Sequence, residues 1–189
     1  MIREVIVTSR SPSGSAHIAP MGISPRGELI IVAPFRPSAT LDNLLVKRCA
    51  VVNYTDDVRV FAGCLTGRRD WPLVEAERVD APRLADALAH TEVELAEIEE
   101  DALRPRLLCR PVLDATHAPF HGLNRAKAAV LELAILVSRL DRLPFDKVER
   151  EIEYLRIALD KTAGPQEQEA WSWLMTRVVD HQRHAGANA

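Results

Sequence analysis

The sequence has few cysteines, and none in a pairing pattern. Cys49, Cys64 and Cys109 are odd in number and far apart among the 189 residues. No two of them have the Cys-x-x-Cys spacing, so neither a structural zinc site nor a disulfide framework is predicted. We expect all three to be buried, reduced thiols, because free cysteine is among the most buried residue types.

Long apolar runs are also missing. No segment approaches the roughly 18 consecutive apolar residues of a membrane-spanning helix. The N-terminal stretch MIREVIVTSR carries charged residues where a secretory signal would have its apolar region. We therefore expect no secretory signal, no membrane association and a cytoplasmic location.

The chain has no excess of basic residues. Its net charge is −3, which argues against a nucleic-acid binder that works by neutralising phosphates. Residues 1–69 are nevertheless mildly basic. That balance suits a small anionic ligand, and equally an ordinary solvated surface.

The common catalytic motifs are absent from the sequence. There is no Gly-x-Gly-x-x-Gly, Walker, His-Glu-x-x-His or nucleophile-elbow pattern. His181 and His184 have a helical spacing but lack a third ligand, so no metal site is predicted.

Residues 1–118 are mostly strand-like. Branched and apolar runs bounded by turn residues predict strands over 3–10, 16–23, 28–35 and 49–55, the first three as an antiparallel meander. A two-turn helix is predicted over 40–48. Further segments are a strand-like 71–79, a short helix over 82–88, an ambiguous 58–67, and a long hairpin of 91–100 with 106–116, although 91–100 could be helical.

Residues 119–189 change to a helical pattern. Helices are predicted over 121–143, 144–162 and 165–184. The first is apolar nearly all round, which indicates deep burial or an oligomer interface. The sequence thus predicts an α+β protein, with a β domain over 1–118 and a helical domain over 119–189.

One loop has the composition of an anion site. Arg36, Ser38 and Thr40 precede or open the predicted helix 40–48. A guanidinium offers a bidentate fork to a phosphate, and hydroxyls and free N–H groups at a helix start add donors. Helix capping by Ser38 or Thr40, with Arg36 in solvent, explains the same residues and stays open.

Other candidate contacts are weaker. Pro20 and Gly22 interrupt a strand, which indicates a bulge or a ligand lying close to the backbone. Asn53 ends a strand and could bond a polar ligand edge, and Thr55 could contact a ligand or cap a turn. Asn124 and Arg125 open the long helix, where an anion or a plain N-cap would suit them.

The order of these pieces resembles the FMN-binding split barrels of the flavin reductase type. Ala19-Pro20-Met21-Gly22, then Arg36-Pro37-Ser38-Ala39-Thr40, Asn43 and Val51-Val52-Asn53 match their flavin-binding segments. The blocks MIREVIVT, HIAPMG, FRPSATLDNL, VVNYTDDVRVFAGCLTG and LNRAKAAVLELAILVSRL resemble the domain-of-unknown-function 447 family over nearly the whole chain. Ala39 stands where the reductases have aspartate, so that phosphate contact is not carried over.

The resemblance implies an antiparallel split barrel followed by a three-helix unit, and a homodimer with FMN at the subunit interface. Arg36, Ser38 and Thr40 would hold the FMN phosphate, and Met21, Gly22, Ala33 and Pro34 would face the ring. Asn53, Thr55, Asn124 and Arg125 would add contacts, the last two from the second subunit.

The implied activity is an oxidoreductase that uses bound FMN, with NAD(P)H or a small molecule as its partner. A link to tetrahydromethanopterin-dependent one-carbon metabolism is also implied. No catalytic side chain is assigned. A non-catalytic module that stores or senses FMN, and a flavin-free protein that binds another phosphorylated ligand, remain alternatives.

Overall fold

The computed structural model describes the backbone of residues 1–187 and the side chains of residues 1–184. The chain forms two compact units. The first contains residues 1–56 and 70–120, and the second contains residues 57–69 and the chain from 121 onward. The predicted division at 118 and 119 differs from these units in residues 57–69, and it stays a prediction.

The first unit is a closed six-stranded antiparallel barrel with a small added sheet. The barrel strands follow the order β1-β2-β3-β8-β7-β4. Their bounds are β1 Arg3–Arg10, β2 Ala16–Arg26, β3 Leu29–Val32, β4 Cys49–Tyr54, β7 Ala89–Glu99 and β8 Arg106–Thr116. Strands β5 (Leu73–Glu75) and β6 (Pro82–Leu84) pair separately.

The barrel interior is filled by branched side chains. Val5, Val7, Val52, Val93 and Leu107 are at most 1% exposed. They belong to one apolar cluster from strands β1, β4, β7 and β8. The β1–β2–β3 meander and the long β7–β8 hairpin are confirmed, as is the α+β fold class.

Helix α1 (Ala39–Lys47) is the next element after β3 and packs Leu41 and Leu44 into the barrel core. Ser38 is its N-cap, and its hydroxyl accepts a hydrogen bond from the Leu41 N–H. The helix ends at Arg48, whose φ of 59° turns the chain into β4. Of the two predicted caps, Ser38 takes the role.

The second unit is helical. Its helices are α2 (Val58–Leu65), α3 (Arg125–Val137), α4 (Phe145–Thr162) and α5 (Pro165–Ala187). Leu133, Val148 and Leu174, which have no exposed surface, lie in its core. Pro165 opens α5, where its fixed φ and missing N–H cost nothing. None of the helices described within residues 1–187 is long and apolar enough to cross a membrane.

Several predicted segments differ from the structure. Residues 82–88 were predicted as a helix, which is wrong: Pro82–Leu84 is strand β6, paired with β5. The ambiguous 58–67 contains helix α2, and the strand predicted over 71–79 is only Leu73–Glu75. Helix α3 begins at Arg125 rather than 121 and ends at Val137 rather than 143, because Asn124 caps its start and turns follow its end.

The three cysteines are free and buried. Cys49 lies on β4, Cys64 on α2 and Cys109 on β8. The prediction of buried, reduced thiols is confirmed.

Candidate functional site

A cleft of about 630 Å³ opens on the barrel between β2, the end of β3 and the β7–β8 turn. Its volume is in the range of pockets that hold cofactors and small molecules. Gly22 and Ile23 line one side, Ala33 lines another, and charged residues of the turn complete it. Of the predicted ring contacts, the structure brings Gly22 and Ala33 to this cleft.

Gly22 adds no side chain to this wall of the cleft. A Cβ at this position would lie 2.9 Å from Cγ2 of Ile2, closer than real Cβ contacts allow. Any larger residue at 22 would therefore displace Ile2, which also lines the cleft. Gly22 thus allows the Ile2 side chain to pack closely against β2 at this wall.

Arg36 borders a second, adjoining concavity of about 390 Å³. Glu100 and Asp101 line both this concavity and the larger cleft. The guanidinium of Arg36 donates to Glu100 Oε2 at 2.7 Å, and both side chains are exposed enough to exchange partners. Arg36, which the sequence predicts to bind an anionic ligand, thus already binds a carboxylate of this protein.

The β7–β8 turn is fastened to the segment that follows β3. The Arg36 N–H donates to the Leu103 carbonyl at 2.8 Å. Arg104 donates through Nε to the Ala33 carbonyl at 2.8 Å, and its guanidinium lies 4.9 Å from the centre of the Phe35 ring. These contacts give the predicted anion segment a fixed backbone position.

The turn carries charges of both signs. A hydrogen bond from Arg26 lowers the pKa of Glu99, and backbone N–H groups of Arg104 and Leu103 lower the pKa of Asp101. Both carboxylates therefore stay charged at neutral pH. A ligand phosphate that binds Arg36 would compete with Glu100 for it.

Helix α1 begins at Ala39, three residues after Arg36. Its first N–H groups have no intrahelical acceptors, which makes the helix start favourable to anions. The Ser38 hydroxyl is 3.4 Å from the Leu41 nitrogen, a long hydrogen bond. Thr40 is the second residue of the helix and is only 1% exposed. Ser38 and Arg36 are therefore better placed than Thr40 to meet a ligand from solvent.

The remaining predicted ring contacts in this unit lie inward. Pro34 is buried, and Met21 is half-buried and packs against the barrel core. Neither lines the cleft, so a role for their side chains stays a prediction. Thr55, half-buried just after β4, also stays a prediction.

Asn53 has no exposed surface. Its amide donates to the Ile6 carbonyl at 3.1 Å and to the Thr8 hydroxyl at 3.0 Å. Its Oδ1 accepts the Leu84 N–H at 2.7 Å. The structure thus gives Asn53 a part in holding β1, β4 and β6 together. Its ligand contact stays a prediction.

Asn124 and Arg125 belong to the second unit. The Asn124 side chain accepts hydrogen bonds from the N–H groups of Ala126 and Lys127, at 2.8 and 3.2 Å, and so caps α3. Arg125, the first residue of α3, is exposed. Their predicted flavin contact rests on the resemblance alone.

One polar cluster was missed by the sequence reasoning. Glu92 and His90, on β7, are 0% and 2% exposed, and His117 follows β8. His90 Nδ1 lies 2.8 Å from His117 Nε2, and His90 Nε2 lies 3.3 Å from Glu92 Oε1. The available signal was the pair His90 and Glu92 two apart in a strand; His117 is too distant in sequence to be linked to them.

The structure shows no metal site among the side chains it describes, since no three His, Cys, Asp or Glu residues there form a ligand group. His181 and His184 instead lie near Asp141 and the Asp180 carbonyl.

Comparison with known protein families gives two matches along the chain. Residues 3–118 match the N-terminal domain of a protein family of unknown function, DUF447, and residues 124–176 match the C-terminal part of the same family. The chain belongs to this family. The resemblance found in the sequence is therefore confirmed, and a search of curated proteins finds no match.

Solved structures support the fold. The FMN-bound DUF447 protein MM1853 from Methanosarcina mazei superposes with a TM-score of 0.80 at 21% identity, over 93% of this chain and 94% of that one. The 2-nitrobenzoate 2-nitroreductase NbaA of Pseudomonas fluorescens gives 0.54 at 23% identity, over 60% and 64%. Flavoredoxin from Methanosarcina acetivorans gives 0.52 at 13% identity, over 61% and 69%.

The two kinds of match differ in extent. The M. mazei protein matches along nearly its whole length, whereas this chain spans less than two thirds of the nitroreductase. At these identities the likeness establishes the split-barrel fold shared with flavin proteins.

Proposed function

We propose that this protein is a flavoprotein that binds FMN on its barrel unit, with its phosphate at Arg36 and Ser38 and its ring along the cleft beside Gly22 and Ala33. The observation that carries the proposal is that Gly22 and Ala33 line one cleft and Arg36 lines the concavity adjoining it, while Ser38 caps the helix that follows Arg36. The FMN-bound state of the M. mazei relative supports it.

The residues fit the group. A dianionic phosphate suits a guanidinium beside a helix start, where unpaired N–H groups and the helix dipole favour negative charge. A flat ring suits a wall formed by Gly22 and Ala33, which add little side-chain bulk. Glu100 opposes the fit until it leaves Arg36, and the exposure of that ion pair makes the exchange inexpensive.

When bound, FMN supplies hydride and electron transfer, which no side chain of this protein can perform. The chain's own part would be to bind the phosphate, orient the ring and restrict water around it. We further propose an oxidoreductase with NAD(P)H or a small molecule as its partner, acting as a homodimer. A role near tetrahydromethanopterin-dependent one-carbon metabolism and a cytoplasmic location stay predictions from the sequence.

The first test is an absorption spectrum of the purified protein, with added FMN if it is colourless. We expect a flavin band near 450 nm, about the usual position for bound flavin. Anaerobic addition of NADH or NADPH should bleach it. A protein that holds FMN but is not bleached would be the storage or sensing module, and failure to take up FMN would overturn the proposal.

Replacing Arg36 by alanine tests the phosphate position. We expect FMN affinity to fall by about 1.5–3 kcal/mol, the contribution of a hydrogen bond to a charged group. Isothermal titration with FMN and with riboflavin measures it, and riboflavin binding should change little because riboflavin has no phosphate. Arg110→Ala, an exposed arginine of β8 that does not line the cleft, is the control. Equal losses for both ligands would remove Arg36 from the phosphate site.

A further inference from the structure

The hydrogen-bonded chain of Glu92, His90 and His117 connects a buried carboxylate to solvent. Glu92 has no exposed surface, His90 is nearly as buried, and His117 is exposed. The two imidazole rings are parallel within 5°, with centres 5.0 Å apart. This cluster is not part of the cleft or of the concavity beside Arg36.

Glu92 is ionised in the folded protein. Burial raises its pKa, but hydrogen bonds from the backbone N–H groups of Glu77, Arg78 and Val79, together with His90, outweigh burial and leave the pKa below its usual value. The three N–H groups lie 2.7, 2.6 and 3.1 Å from its oxygens. An ionised carboxylate only accepts hydrogen bonds.

The charge of Glu92 fixes the proton positions along the chain. Since Glu92 accepts, His90 must carry its proton on Nε2. A neutral His90 then has a bare Nδ1, which accepts the Nε2–H of His117. A neutral His117 then has its lone pair on Nδ1, the ring nitrogen that does not bond to His90.

Two charged groups on other elements also face His117. Partial burial lowers the pKa of His117 most, followed by the positive charges of Arg83 on β6 and of a protonated His90, while Glu77 raises it. The net direction is downward, so His117 is a neutral acceptor at physiological pH.

The arrangement exceeds what a buried histidine needs. A carbonyl or hydroxyl would satisfy each nitrogen of His90, and three backbone N–H groups already stabilise Glu92. Here both partners of His90 are ionisable, and the chain ends on an exposed ring. Those are the properties of a group that exchanges protons.

We propose that Glu92, His90 and His117 form a proton-accepting site, entered at Nδ1 of His117 and suited to water or a hydroxyl-bearing ligand. The donor O–H bond breaks, its proton joins Nδ1 of His117, and the donor keeps the electron pair as hydroxide or alkoxide. The Nε2 proton of His117 can then pass to Nδ1 of His90. The positive charge comes to rest on His90, beside the carboxylate of Glu92.

The test is long-range ¹H–¹⁵N correlation NMR on ¹⁵N-labelled full-length protein, with the proton itself as the probe. At pH 7.5 we expect both His90 and His117 to carry their single proton on Nε2. On acidification the ¹⁵N signals of both rings should change together in one shared step, because the entering proton is shared along the hydrogen bond between them. A His117 protonated on Nδ1, or two rings that titrate independently, would overturn the proposal, and this measurement needs no variant.

The same NMR titration on the Glu92→Gln variant gives a second test. Removing the negative charge should lower the proton affinity of the histidine pair by about tenfold or more. His121→Gln, which changes an exposed histidine outside the cluster, should leave the shared step where it was. If Glu92→Gln folds and the step does not move, Glu92 is not part of the site. If Glu92→Gln does not fold, the tautomers of His90 and His117 measured in the wild-type protein still test the proposal.

Discussion

Fully buried polar residues give the barrel much of its specificity at the residue scale. Asn53 and Glu92 have no exposed surface, and each bonds to backbone groups from segments distant in sequence. The sequence indicated Asn53 as a ligand contact because it ends a strand. Its barrel partners could not be predicted, since Ile6 and Leu84 reach it only through the β1–β4 pairing and the position of β6.

The stability contributed by Glu92 depends on pH. Its folded pKa is below its unfolded value, so this stability is complete above the unfolded pKa of about 4.5 and is lost as pH falls through the lower folded pKa. At pH 7 we expect Glu92→Gln to reduce the free energy of unfolding by about 2–3 kcal/mol, because hydrogen bonds to a charged group are lost.

Urea unfolding at pH 7 and at successively lower pH measures this difference. It should shrink as Glu92 of the wild type becomes protonated. Glu94→Gln, at an exposed position of the same strand, is the matched control and should change stability little. A difference for Glu92→Gln that stays constant into acid would show that its charge is not the cause.

At the scale of elements, the sequence predicted those caps, turns and strands that depend on neighbouring residues. The Ser38 cap, the meander and the hairpin follow from turn residues and alternation. Strand β6 was predicted wrongly because Pro82–Leu84 is too short for its pattern to decide, and its pairing with β5 is non-local. Helix α2 was left ambiguous, although Asp57 does cap it, because its apolar run suits a buried strand equally well.

The two interpretations of Ser38, cap and ligand contact, can be separated. Ser38→Ala should destabilise the protein by about 0.5–2 kcal/mol through the lost cap, and the long bond to Leu41 points to the lower end. If Ser38 also contacts phosphate, FMN affinity should fall while riboflavin affinity does not. Ser172→Ala, at an exposed position of α5, controls for a serine-to-alanine change in a helix. Lost stability with unchanged FMN affinity would leave Ser38 as a cap only.

For the whole molecule, the fold class was predictable, but the place of residues 57–69 was not. The change from strand-like to helical patterning near residue 119 indicated two parts. It gave no sign that residues 57–69 cluster with the later helices. Membership of a unit depends on long-range packing: Val58 and Ala62 of α2 join the apolar cluster of Leu133 and Leu174, which no local pattern reveals.

The cysteines allow each unit to be followed separately. Cys109 lies on β8 in the barrel, and Cys64 lies on α2 in the helical unit. Burial raises the pKa of Cys109 to about 12 and that of Cys64 to about 11. At pH 8 both are protonated as well as inaccessible, so neither should react with a thiol reagent unless its unit opens.

We therefore expect alkylation by iodoacetamide at pH 8 to be about a thousandfold or more slower in the native protein than in urea, as stability on the usual scale requires. Mass spectrometry after timed alkylation identifies which cysteine has reacted. Increasing urea below the main transition then reports the opening of each unit through its own thiol. If Cys64 or Cys109 reacted in native buffer at the rate of the unfolded chain, the packing around that thiol would be wrong.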